Sequence, residues 1–138
     1  YKIMTFNYNN CRLVYFDEFC DERGTLASLE LEEKLNFNAC RVFQVYNVSF
    51  DRGGHAHRFT NQILIASSGQ FTAEVFNGKS WDCYKLSRPS LGLYTPKLTF
   101  LKMRDFSKNT VCTVLSDTKY LEKQIIKDLD KYRLEMAK

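Results

Sequence analysis

Both histidines of this chain fall within one short stretch, Asp51-Arg52-Gly53-Gly54-His55-Ala56-His57-Arg58, and no other side-chain type ordinarily titrates so close to neutral pH. In an extended segment, side chains at i and i+2 share a face, so His55 and His57 are expected to project into one space. Arg52 and Arg58 bracket them. Gly53 and Gly54, directly ahead of the pair, let the backbone turn sharply or let a ligand come close. Two imidazoles between fixed cations suit proton transfer on an anionic substrate. An arginine-flanked loop whose histidines bond locally would carry the same letters, so His-x-His alone does not decide between the two.

The elements that must hold this stretch read as strands. Cys11 to Phe16 is apolar, with β-branched and aromatic content. Asp21-Glu22-Arg23-Gly24 reads as a turn, and Thr25 to Leu31 as the second strand of a hairpin. The polar run from Glu32 to Asn38 fits a loop or one helical turn. Cys40 to Val48 alternates clearly, leaving Arg41 at the rim or facing inward. Gln62-Ile63-Leu64-Ile65-Ala66 is a continuous apolar run ending at small residues, and Phe71 to Phe76 pairs back through an Asn77-Gly78 type I′ turn to Leu86. Gly92 to Thr95, Leu98 to Phe106 and Thr110 to Leu115 supply further strands. From about Thr118 to Met136 the period changes, and Leu121, Ile125, Ile126, Leu129, Tyr132 and Met136 predict one amphipathic helix packed on the sheet. About ten short strands with a terminal helix predict an all-β fold of sandwich or barrel type, and a jelly roll fits the length best.

A length of 138 residues fits a single domain spanning 1–138, and 44% hydrophobic with 26% charged residues excludes disorder. The net charge of +4 is mild and the lysines alternate with acids, so no nucleic-acid partner is expected. Five cysteines (Cys11, Cys20, Cys40, Cys83 and Cys112) without a C-x-x-C spacing suggest neither a disulfide framework nor a zinc site, which favours a cytoplasmic location. No run approaches the about 20 apolar residues of a membrane span, and no export signal opens the chain. A chain starting at Tyr1 rather than Met is expected to lack some native N-terminal residues.

His-x-His followed by Gln62 and Gly69 resembles the first cupin motif, in which two histidines and a carboxylate hold a metal inside a jelly roll. Here Asn61 or Gln62 stands where the carboxylate belongs and the chain has no third histidine, so no metal is expected. More specifically, Arg41-Val42-Phe43, Arg52-Gly53-Gly54-His55-Ala56-His57-Arg58, Gln62, Gly92-Leu93-Tyr94, Met103, Asp105-Phe106-Ser107 and Val114-Leu115 closely resemble the dTDP-4-dehydro-6-deoxyglucose 3,4-ketoisomerases. The match runs from about Tyr15 to Tyr132. The resemblance implies a cupin-type jelly roll with a C-terminal helix, a homodimer without metal or cofactor, and a dTDP-sugar substrate whose 3-keto product passes to an aminotransferase in deoxysugar biosynthesis. It assigns His55 as leading base and His57 as its partner in proton transfer. Arg41, Arg52 and Arg58 would bind the diphosphate or polarise sugar oxygens. Gln62 and Tyr94 would orient the sugar, and Arg23 aligns with a family arginine near the substrate. Where many relatives have Trp followed by His or Arg, this chain has Phe100-Leu101, which removes a polar group from above the sugar. The competing readings are a sugar-nucleotide 3,5-epimerase of the same fold, which would want a His–Asp dyad, and a non-catalytic sugar-binding cupin.

Overall fold

A computed structural model describes residues 7–138. In chain order the elements are β1 (Arg12–Tyr15), β2 (Asp17–Asp21), β3 (Gly24–Ser28), α1 (Leu31–Leu35), β4 (Arg41–Tyr46), β5 (Arg52–His57), β6 (Gln62–Ser68), β7 (Phe71–Phe76), β8 (Trp81–Leu86), β9 (Leu91–Thr95), β10 (Leu101–Arg104), β11 (Val111–Ser116), β12 (Ile125–Ile126) and α2 (Leu129–Met136), with one 3-10 turn at Glu122–Gln124. Two five-stranded antiparallel sheets face each other, in the orders β1-β9-β6-β11-β4 and β12-β5-β10-β7-β8, while β2 and β3 form a hairpin of their own. This is the expected cupin-type jelly roll.

Between the sheets lies an apolar core that includes Leu64, Val75, Leu86, Leu93 and Cys112. β6 reads as an unbroken apolar run because both its faces are covered. Leu64 and Ala66 point into this core, whereas Ile63 and Ile65 pack outward against Phe37 and the leucines of α1. Such two-sided burial removes the need for a polar alternate position.

Three boundaries differ from the sequence expectation. The Asn77-Gly78 hairpin exists, but its closing pair is Phe76 and Trp81, and the loop has four residues rather than two. The Asn77 side-chain oxygen accepts from the Lys79 and Ser80 amides, and this side-chain turn replaces the type I′ geometry. The strand expected over Leu98 to Phe106 shortens to β10, bounded by left-handed backbone at Leu98 (φ 64°) and Asp105 (φ 55°). The helix expected over Thr118 to Met136 is confined to α2. Ile125 and Ile126 leave the helical path to pair with His57 and Ala56 of β5, which suits β-branched side chains. The helix starts afresh after Asp128, whose carboxylate caps the Asp130 amide.

Candidate active site

β5 carries the site, and its glycines explain how. Gly53 (φ 90°) and Gly54 (φ 79°) hold conformations that L side chains rarely adopt. A Cβ on Gly53 would lie 2.7 Å from the Leu101 carbonyl oxygen, so close strand packing demands glycine there. Beyond them the strand becomes regular, and both imidazoles turn into one cavity, their ring centroids 5.2 Å apart and their planes at 82°. Ala56, between them, is fully buried on the other face against Phe76, Phe100 and Tyr132. The carbonyl of His57 is fixed by the Leu98 amide at 2.7 Å. Tyr132 donates to the Leu98 carbonyl at 2.6 Å, tying this corner to α2.

The cavity, of about 380 Å³, is lined by Arg41, Phe43, Gly53, Gly54, His55, His57, Gln62, Tyr120, Ile125 and Lys127. Arg41 comes from the first residue of β4. Its guanidinium rests on the rings of Phe43 (4.4 Å) and Tyr120 (5.1 Å), and no carboxylate pairs with it among the described residues. Aromatic support orients the charge without neutralising it, the arrangement an anionic ligand requires. Gln62, the first residue of β6, is buried, and its amide nitrogen donates to the hydroxyl of buried Ser116 at 3.1 Å. That bond leaves the amide oxygen as an acceptor facing the cavity.

Electrostatics keep both imidazoles neutral at physiological pH. His57 is pushed down to about 4, first by burial and then by the neighbouring His55 and Arg41. His55 is also lowered, again chiefly by burial; a hydrogen bond with the Gly53 backbone opposes the shift, and the charges of Lys127 and Arg52 add to it. With one ring nitrogen engaged at Gly53, the other nitrogen of neutral His55 is the natural proton acceptor. The buried Nδ1 of His57 has no hydrogen-bond partner among the described residues. Among the described residues no group of three or more His, Cys, Asp or Glu side chains is arranged to hold a metal ion.

The structure thus brings together His55, His57, Arg41 and Gln62 of the residues singled out in the sequence. Arg52 stands exposed at the start of β5, close enough for its charge to act on His55. Arg58 has other work. Its guanidinium grips the Glu135 carboxylate through Nε (2.9 Å) and Nη2 (2.9 Å) and donates to the Lys123 carbonyl, which clamps the C-terminal segment to β5. Tyr94 lies on the outer face of β9, packed edge-on against Phe37 and under Arg12, away from the cavity. Arg23 sits at the β2–β3 turn, paired with Asp21 and 86% exposed, outside this cavity. Tyr120, Ile125 and Lys127 are not among the site residues the sequence singles out, because the spacing of the stretch that carries them predicts a helix. The adjacent isoleucines followed by the capping Asp128 were the signal for a strand and a new helix start.

Comparison with known proteins agrees with this geometry. Residues 9–137 match the family model described as FdtA: WxcM-like, C-terminal. Over 129 residues the chain is 28% identical to a TDP-4-oxo-6-deoxy-alpha-D-glucose-3,4-oxoisomerase of Aneurinibacillus thermoaerophilus, covering 92% of this chain and 93% of that protein. The crystal structure of a 3,4-ketoisomerase from Helicobacter canadensis superposes with a TM-score of 0.89 at 30% identity, covering 94% of this chain and 98% of the other. QdtA, a sugar 3,4-ketoisomerase from Thermoanaerobacterium thermosaccharolyticum solved in complex with TDP, gives 0.88 at 29% identity over 93% and 95% of the two chains. With sequence, fold and paired histidines in agreement over nearly the whole length, this chain belongs to the FdtA family of sugar 3,4-ketoisomerases.

Proposed function

We propose that this isomerase converts dTDP-4-dehydro-6-deoxyglucose into a dTDP-3-dehydro-6-deoxyhexose through a C3–C4 enediol, without a metal. One observation carries the reading: two neutral imidazoles, their ring centroids 5.2 Å apart, share a cavity with a ring-supported arginine that no carboxylate among the described residues pairs. The C4 carbonyl acidifies the C3 hydrogen, so a neutral imidazole suffices to remove it. His55 takes that proton, with its other nitrogen held at Gly53, and His57 takes part in the proton's return. Arg41 engages the diphosphate or a sugar oxygen, with the exposed Arg52 in support. Gln62 orients the sugar through its free amide oxygen.

A 3,5-epimerase would want a His–Asp dyad, and among the described residues no carboxylate bonds either imidazole. Incubation in D₂O with dTDP-4-dehydro-6-deoxyglucose, followed by NMR, separates the classes. Deuterium at C4 of a product whose carbonyl has moved to C3, with deuterium at C3 of recovered substrate through the reverse reaction, is the expected result; exchange at C5 would indicate epimerase chemistry, and neither product nor exchange a binding protein. A sugar aminotransferase acting on the 3-keto product would draw the reaction forward, in keeping with a role in making 3-amino-3,6-dideoxysugars for a surface glycan.

A homodimer fits the surface. The β2–β3 hairpin pairs with no other strand among the described residues yet exposes Phe19 (63%) and Leu26 (60%), and β4, an edge strand, exposes Val42 and Tyr46. Apolar side chains presented on unpaired strands invite cover by a second copy. Light scattering at micromolar concentration gives the mass directly. A cytoplasmic location suits five free cysteines, and no helix of the described residues is long and apolar enough to cross a membrane.

A further inference from the structure

The C-terminal segment does more than cover the barrel, because its anchors aim one cation into the cavity. Ile125 pairs with His57 and lines the cavity; Lys127, two residues on, lines it too. Three fastenings hold this register: the Arg58–Glu135 pair, the Gln124 side chain accepting from the Phe59 amide at 2.9 Å, and the Tyr132 hydroxyl on Leu98. The ammonium of Lys127 is itself oriented, since it pairs with Glu122, whose carboxylate also accepts from the Tyr120 hydroxyl. We propose that Lys127 is the cation facing the oxygen charge of the enediolate, delivered beside His55 by a segment that the histidine strand itself anchors.

This rests on the ketoisomerase reading, and the electron count of that reaction shows where the charge falls. Breaking the C3–H bond gives the proton to His55 and leaves its electron pair to form the C3–C4 double bond. The C4 carbonyl π pair moves onto O4. The oxyanion there takes a proton, O3 loses one as the C3 carbonyl forms, and the double-bond pair receives a proton at C4. No outside oxidant or reductant enters. Charge develops on O4 as C3 loses its proton and on O3 before C4 gains one, and a cation held beside these oxygens lowers both barriers.

The charged and titratable groups around His55 are few. Arg52 and His57 share its strand, Arg41 comes from β4, Tyr120, Glu122 and Lys127 come from the C-terminal segment, and β10 places apolar Leu101 opposite. Lys127 is the cation that most lowers His55. The same charge would therefore add to burial in keeping the base unprotonated before the reaction and face the anion during it.

The test compares Lys127→Met, Lys127→Arg and, as a control on α2, Lys131→Met. Lys127→Met is expected to lower kcat about tenfold, less than the 10²–10³ of a buried donor because the side chain is 65% exposed. It should also raise the His55 titration midpoint, followed by NMR of the free enzyme, and move the acid limb of kcat/KM upward with it. Lys127→Arg should keep most of kcat, and Lys131→Met all of it. A Lys127→Met enzyme with kcat within twofold of wild type, or with its loss confined to KM, overturns the proposal. So does a kcat loss with the His55 titration unmoved, which would mark a merely structural lysine. If wild-type protein forms no 3-keto product and places no deuterium at C4, the ketoisomerase reading itself falls, a failure visible before any variant is made.

Discussion

The two ends of the jelly roll are both concave and both polar, yet they spend their polar groups differently. At the far end, a concavity of about 490 Å³ is lined by Asn47, Ser49, Ser107, Lys108, Asn109 and Thr110, among others. The hydroxyls of Ser107 and Thr110 already bond each other and the backbone: Ser107 to Thr110 at 2.8 Å, Thr110 to the Gln70 and Ser107 carbonyls, and Ser107 to the Gln70 amide. Phe71 and Phe106 stack beneath them at 5.2 Å. At the histidine end the cavity is smaller, but Arg41 has no acid partner among the described residues and buried His57 Nδ1 bonds nothing. Satisfied polar groups stabilise a fold, whereas oriented and unsatisfied ones await a ligand. Size therefore does not identify the site; unmet hydrogen-bonding capacity does.

The largest expected effect tests the histidine end. His55→Asn should lower turnover by about 10²–10⁴-fold, the usual contribution of a general base, while leaving dTDP affinity nearly unchanged. Steady-state kinetics and calorimetry with dTDP give the two numbers. If His57→Asn alone abolishes C3 exchange while His55→Asn keeps it, the order of base and partner is reversed.

The far end should respond in the opposite sense. Gly69 has φ +70°, and a Cβ there would lie 2.6 Å from Thr110 Oγ1 and 2.8 Å from Thr110 Cα. Gly69→Ala is expected to destabilise the protein by about 1–3 kcal/mol in urea denaturation, with kcat and KM preserved at temperatures where it stays folded. A Gly69→Ala enzyme of full stability but low kcat would mean that the two ends are coupled.

Acid separates the ends again. The folded-state pKa of His57, about 4, lies below the ordinary 6.5, so between these values the unfolded chain binds more protons than the folded one. The contribution to stability is fully present above about 6.5, declines as pH falls, and is gone below about 4. Urea midpoints measured from pH 7 down to pH 4 should fall, and His57→Asn should flatten the slope. Gly69→Ala should shift the whole curve while keeping its shape. An unchanged slope in His57→Asn would place the acid sensitivity elsewhere.

Much of the histidine end was legible because its signals are local. His55 and His57 fall on one face by strand alternation, and Gly53 and Gly54 mark backbone that L side chains rarely adopt. Arg41 could be placed on β4 by its alternation, although the rings that support it could not. What stayed hidden depends on contacts distant in sequence. Arg58 looks like an active-site cation beside His57 until Glu135, far along the chain, is found to hold it. Tyr94 follows a glycine and a leucine as in the family pattern, yet strand parity turns it outward, in register with Ile63. Lys127 was lost because the spacing of Leu121, Ile125, Ile126 and Leu129 satisfies a helix as well as it satisfies a turn, a strand and a later helix.

The smallest expected effect concerns the wall opposite His55. Leu101 of β10 is in register with His55, is 7% exposed, and lines a narrow cleft with both histidines. Delivering a proton to one face of a planar enediol needs either a single well-placed donor or a barrier on the other face. Leu101 shields but cannot donate. An apolar wall at this position is therefore expected to hold the sugar less firmly than the His or Arg of many relatives, and a difference of about 1.4 kcal/mol between facial barriers is only tenfold in product ratio. The wild-type enzyme should give a measurable mixture of galacto and gluco 3-keto products, and Leu101→His should change the ratio while leaving kcat within a few-fold. Trapping the products with an aminotransferase and reading the C4 configuration by NMR decides it. A single epimer, unaltered by the substitution, would place facial control in the histidine strand and the C-terminal segment rather than in β10.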